Sequence, residues 1–204
     1  MVQGNLDRAS AALDASFALA RASGDSATVA NVQLIRGDMA AEEGDFSKAL
    51  AELQAAAAFY AELGDPAWLV QIEVGLAVAW AGLGDEAAAS SHLTKALAAA
   101  RELDDSWGES LVLAQRGRLR ADQGQTEEAA ALFAAALAVF RDLGCVSDLR
   151  RFLPDVANIA LARGRPERAA RLLAAVAAAD VAFGYRPARM ERARLGRVRE
   201  AIQA

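Results

Sequence analysis

Apolar residues recur three and four positions apart along nearly the whole chain. Phe46, Leu50, Leu53 and Ala57, with Tyr60 beyond, mark one face of a helix in this way. A glycine interrupts the pattern about every 20 residues. Gly4, Gly44, Gly84, Gly124 and Gly164 stand 40 residues apart, followed five positions later by Ala9, Ala49, Ala89, Ala129 and Ala169. Four further on come Leu13, Leu53, Leu93, Phe133 and Leu173. Half a period away lie Gly24, Gly64, Gly144 and Gly184, with Asp104 in the remaining slot. A glycine just past a helix takes the left-handed conformation without a Cβ penalty. The next residue is often a good N-cap: Asn5, Asp25, Asp45, Asp65, Asp85 and Asp105. Pro66 suits the first position of its helix. The pattern predicts about ten helices of roughly 17 residues, each ~25 Å long, and no strand.

Alternate helices differ, so the repeating unit is a pair. First helices carry a small residue seven positions before the 40-residue glycine: Gly37, Ala77, Gly117 and Ala157. Small residues at fixed points on both helices allow close backbone approach. The expected fold is all-α, an α-solenoid of antiparallel helix pairs in one domain, 1–204. It comprises a half repeat (5–23), pairs at 26–63, 66–103, 106–143 and 146–183, and a capping helix at 187–203. Pro154 should kink or break its helix near Leu153, or mark a helix start after a short turn over 147–152. In the cap, Leu195, Val198 and Ile202 form an apolar stripe, with Arg192, Arg194, Arg197 and Arg199 on the remaining surface.

A small residue, a glycine seven on, an alanine five on and a large apolar residue four on resembles the tetratricopeptide repeat (TPR) pattern. Gly37, Gly44, Ala49 and Leu53 carry it, as do Gly117, Gly124, Ala129 and Phe133. The period departs from the usual 34 residues. The segment from Ala162 through Arg163, Gly164, Arg165 and Pro166 to Leu173 resembles the C-terminal TPR region of large bacterial LuxR-type and signal-transducing-ATPase regulators. That resemblance implies effector sensing or intramolecular control. The chain has neither the phosphate-binding Gly-x-x-x-x-Gly-Lys-Ser/Thr loop nor a clear helix-turn-helix. The repeat register suggests a fragment, because the Gly4-Asn5 turn would follow a missing first helix.

Composition supports helices: 53 of the 204 residues are alanine, and aromatic residues make up 6%. The longest apolar run, Ala129 to Phe140, is too short to span a bilayer, which takes ~20 residues. No leader-like segment follows Met1, and Cys145 has no second cysteine to pair with, so a cytoplasmic location is expected. His92 and Cys145 are too few for a metal site or a nucleophile pair. Glu42-Glu43, Asp104-Asp105 and Glu127-Glu128 are paired in sequence only. No cofactor, no metal and no catalysis are expected.

Charge is divided unevenly. Residues 1–144 carry a net charge of −11 and residues 145–204 a net of +6, all twelve basic residues in the latter being arginine. The excess is too modest to make nucleic acid the expected partner. In TPR arrays the first helices line the concave surface, which places Asn31, Gln71, Leu111 and Arg151 in one column. Asp38, Val78, Arg118 and Asn158 form the next. Leu111, Val74 and Val78 are candidates for an apolar floor, and Arg118, Arg151, Asn31 and Asn158 for polar contacts. Trp68, Trp80 and Trp107 are expected to pack between repeats. The expected function is non-catalytic binding of a peptide or protein segment, which includes another domain of a parent protein. The alternative is sensing of a small-molecule effector. Leu6, Leu13, Phe17 and Leu19 begin a helix whose partner is missing, so self-association through residues 5–35 is also expected.

Overall fold

The computed structural model describes residues 3–63 and 68–203, with side chains from Ser10 onward. These residues form ten α-helices and no strand. The helices are α1 (Gln3–Ser23), α2 (Ser26–Glu43), α3 (Phe46–Leu63), α4 (Leu69–Gly82), α5 (Glu86–Glu102), α6 (Ser106–Asp122), α7 (Thr126–Asp142), α8 (Val146–Ala162), α9 (Pro166–Phe183) and α10 (Arg189–Gln203). They divide into two compact units, Met1–Ala99 and Ala100–Ala204.

The turns are built as the glycine register predicts. Gly44 closes α2 at φ +83°, and its N–H donates to the Ala40 and Ala41 carbonyls. Asp104, the one non-glycine in the series, takes the same left-handed region at φ +51°. Asp25, Asp45, Asp85 and Asp105 each accept a hydrogen bond from the backbone N–H three residues on, at 2.9–3.1 Å. At the chain start the expectation fails, because α1 runs through Gly4 and Asn5 without a turn. Gly64, Asp65 and Pro66 lie outside the described residues.

In the first unit, α2 packs on α3, and Leu53 of α3 is fully buried where α2 and α4 approach it. A Cβ on Gly37 would sit 2.6 Å from Leu53 Cγ, and one on Gly75 3.0 Å from Leu53 Cδ1. In the second unit, a Cβ on Gly117 would lie 3.0 Å from the Phe133 ring. The small positions of the repeat are therefore where paired helices touch. Ala49, Ala89, Ala129 and Ala169 are buried completely or nearly so. Phe140 stacks on Phe152, with centroids 6.0 Å apart, at the centre of the second unit.

Pro154 corrects part of a second expectation, the break and the separate turn. The chain is helical throughout Val146–Ala162, with neither a break near Leu153 nor a separate turn ahead of Pro154. A proline inside a helix costs ~3 kcal/mol. Here Phe152, Pro154 and Ala157 are all buried, and the packing they provide outweighs that cost. The cap stripe is as expected: Leu195 and Val198 are buried on α8 and α9, with Ile202 packed beside them. Arg194 is not on the remaining surface, since its side chain is only 22% exposed.

Candidate functional site

In the first unit the candidate residues lie on α2 and α4, helices that pack on each other. Asn31 Oδ1 accepts a 2.7 Å hydrogen bond from the hydroxyl of buried Tyr60. The Tyr60 ring stacks on Trp68 at 5.5 Å. Gln71 Nε2 donates to Asp38 Oδ2 at 3.5 Å, joining two candidates directly. Val78 is half-buried against the core, whereas Val74 is 5% exposed and offers a ligand little surface. On α5, His92 is a boundary residue, with Nδ1 2.6 Å from Glu73 Oε2. A cleft of about 500 Å³ between α1, α2 and α3 is lined by Asp14, Arg36, Glu43, Asp45, Lys48 and Glu52, none of which is among the candidate residues.

The second unit gathers more charge. Arg118 of α6 grips Asp155 of α8 side-on, Nε to Oδ1 at 3.3 Å and Nη2 to Oδ2 at 2.6 Å. Its Nη1 donates to Gln115 Oε1 at 3.1 Å. Arg194 of α10 reaches the same Asp155 Oδ2 at 3.5 Å. Arg118 and Arg151 both lie against the Phe152 ring, at 5.2 and 5.7 Å from its centre. Asn158, one turn beyond, is exposed, and Leu111 is buried in the unit's interior. Burial, aided by the neighbouring Arg118 charge, lowers the Arg194 pKa to about 10 against the pull of Asp155. Loss of hydration likewise pushes the Asp122 carboxyl above its usual range, against the pull of Arg118.

Register thus brought Arg118, Arg151 and Asn158 to one region, but it missed Gln115, Asp155 and Arg194. Gln115 was legible as three residues before Arg118 on the same helix, and Asp155 as four after Arg151. Arg194 lies outside the repeat columns and carries no such signal. Another missed arginine, buried Arg150, bonds Asp180 of α9 and Glu191 of α10. Burial alone would lower its pKa, but the bonds to Asp180 and Glu191 hold the charged form and raise it. Trp107 ties α6 to α8 by donating to Asp148 Oδ2 at 3.0 Å, which supports a packing role. Cys145 occupies the N-cap position of α8 without a side-chain bond to it.

Among the described residues no cluster of His, Cys, Asp and Glu is arranged to hold a metal, and no helix is long and apolar enough to cross a membrane. No protein-family model matches the chain. No curated protein sequence matches it either. Solved structures do. The chain is similar to a single-residue variant of the nearly identical TPR-like repeats of a putative kinesin light chain from Podosopora anserina, at a TM-score of 0.55 and 19% identity, covering 84% of this chain and 85% of that one. A second structure of those repeats aligns over the same shares, at a TM-score of 0.54 and 21% identity.

The fold is that of TPR-like repeats. The TPR-like register of 40 residues is therefore the one the sequence alone displayed.

Proposed function

We propose that this chain is a non-catalytic binding module that holds a peptide or protein segment against its first helices, α2, α4, α6 and α8. The observations that support this reading are two sets of polar side chains on those helices, one within each unit. Asn31, Asp38 and Gln71 stand in the first unit, and Arg118, Arg151 and Asn158 in the second. Directional polar groups beside apolar ones are what segment recognition requires. The parent we favour is a cytoplasmic bacterial regulator of the LuxR-type or signal-transducing-ATPase kind, as the Ala162–Leu173 segment implies.

The test is a display selection for peptides on the full chain, repeated with Arg151→Glu and with Asn158→Arg. Both variants alter side chains that carry no described ion pair. Selected peptides should bind the wild type and lose affinity for at least one variant. Equal binding to all three proteins would place recognition elsewhere.

The alternative, an effector sensor, is favoured by one feature. The charged groups of the second unit converge on Asp155 instead of being strung along the helices. We also propose self-association through residues 5–35. Leu19 is 72% exposed there, while Phe17 is half-buried beneath the Arg36 guanidinium, 4.4 Å from its ring centre. Leu13 is half-buried, and the Leu6 side chain lies outside the described residues. Light scattering on wild type and Leu19→Glu should show an oligomer that the charge dissolves. A wild-type monomer at high concentration would refute this.

A further inference from the structure

The face shared by α6, α8 and α10 holds more positive charge and more hydrogen-bond donors than it has acceptors for. Four arginines, Arg118, Arg151, Arg194 and Arg197, act electrostatically on a region containing two carboxylates, Asp122 and Asp155. That leaves an excess of two positive charges. The side chains of Arg118 and Arg194 are 17% and 22% exposed, so water screens their charges poorly, whereas Arg151 is half-buried and Arg197 exposed.

The donors are unequally used. A guanidinium offers five N–H groups. Arg118 is well occupied, with Nε and Nη2 on Asp155 and Nη1 on Gln115. Arg194 has one contact, at the long limit of a hydrogen bond. Arg151 makes no ion pair with a described residue and rests on the Phe152 ring. Gln115 is 4% exposed, and its Nε2 is buried without a partner although its Oε1 accepts from Arg118. A buried donor left unpaired costs about 1–3 kcal/mol. Turning the amide over would set its N–H groups against the guanidinium, so the orphan is fixed in place. The orphan lies beside Arg118, so an acceptor that reaches it relieves that cost.

We propose that this face binds a phosphoryl group, the dianion of a phosphomonoester, through Arg151, Arg194 and the Gln115 amide, with the Arg118–Asp155 pair as its rigid floor. A carboxylate would neutralise half the excess charge. A phosphoryl group carries about −1.5 to −2 at neutral pH and three strong acceptor oxygens, which matches both the charge and the idle donors. Arginine forks suit its oxygens. Burial lowers the Arg194 pKa to about 10, so the guanidinium still carries its full charge at neutral pH. The site takes the phosphoryl group from a free small molecule or from a phosphorylated side chain. Only the second source rests on the peptide-binding role.

Calorimetric titration of the full chain separates these cases. The probes are inorganic phosphate, O-phosphoserine, and an alanine-flanked phosphoserine heptapeptide beside its unphosphorylated form. Phosphate and phosphoserine should bind, and Arg151→Gln or Arg194→Gln should each weaken them about ten-fold, the loss of one charge-assisted bond. Gln115→Met should weaken them less, and Lys48→Gln not at all. Binding should strengthen from about pH 5 to about pH 7.5 as the second phosphate proton, pKa about 6, is released. A phosphopeptide binding more tightly than phosphoserine assigns the peptide source, and equal affinities assign the free phosphomonoester. Absence of phosphate binding overturns the site without touching unphosphorylated peptide recognition. So does full affinity in both arginine variants, or succinate binding more tightly than phosphate.

Discussion

Gly37→Ala is the sharpest test of how the helices of a repeat meet. Alanine is the better helix former by about 0.8 kcal/mol, so on propensity alone the change stabilises. The added methyl, however, would lie 2.6 Å from Leu53 Cγ and 2.9 Å from Cδ2. Cγ is not the free end of a side chain, and Leu53 has nowhere to retreat, because α4 stands close behind it at Gly75. Overpacking of this kind costs about 1–3 kcal/mol. The expected net loss is therefore about 0.5–2 kcal/mol, and each kcal/mol moves Tm by about 2–4 °C in a chain of this size. Gly196→Ala supplies the contrast, since a Cβ there meets nothing within 4 Å, and it should raise stability by the propensity term. Calorimetric melts of both variants, and of Gly37→Ala in a Leu53→Ala background, complete the cycle. With Leu53 truncated, Gly37→Ala should turn neutral or stabilising. If it stabilises the wild type as Gly196→Ala does, or costs the same in both backgrounds, the close contact is not there.

Ala129→Leu places three more carbons at a fully buried contact and should cost about 1–3 kcal/mol, read as a lower urea midpoint. Arg118→Ala leaves Asp155, 8% exposed, with only the long Arg194 bond, and should cost about 3 kcal/mol. Arg151→Ala, which breaks no described ion pair, should stay within about 0.5 kcal/mol in the same melts. Hydrogen bonds from the Thr28 hydroxyl and N–H hold the Asp25 pKa below its ordinary 3.8. The cap is thus at full strength above that value and fades as pH falls through the lower, folded-state one. An acid titration followed by circular dichroism should show Asp25→Asn losing less helicity than wild type over that window, and parallel curves would count against the cap.

Most of the architecture was written into the spacing of Gly44, Gly84, Gly124 and Gly164, because left-handed turns and close helix contacts are local demands that few residues meet. Gly37 opposite Leu53 and Gly117 opposite Phe133 were readable for the same reason. What failed were places where tertiary packing overrides local rules. Pro154 remains helical because its neighbours are buried. The candidate site was readable only column by column. Register placed Arg118 and Arg151, but whether a column residue faces outward depends on the neighbouring helix, which is why Val74 and Leu111 proved to be interior. The reach of Arg194 from α10 to Asp155 belongs to no column at all.

Arg150 acts as a hinge pin. One guanidinium on α8 holds Asp180 near the end of α9, Glu191 at the start of α10, and the Tyr185 ring between them, 3.5 Å from its centre. The segment joining α9 to α10 therefore cannot fray at one bond without loosening the others. Opening there is cooperative, so the amides from Asp180 to Arg192 exchange with solvent as a single class and not as a gradient from the chain's end.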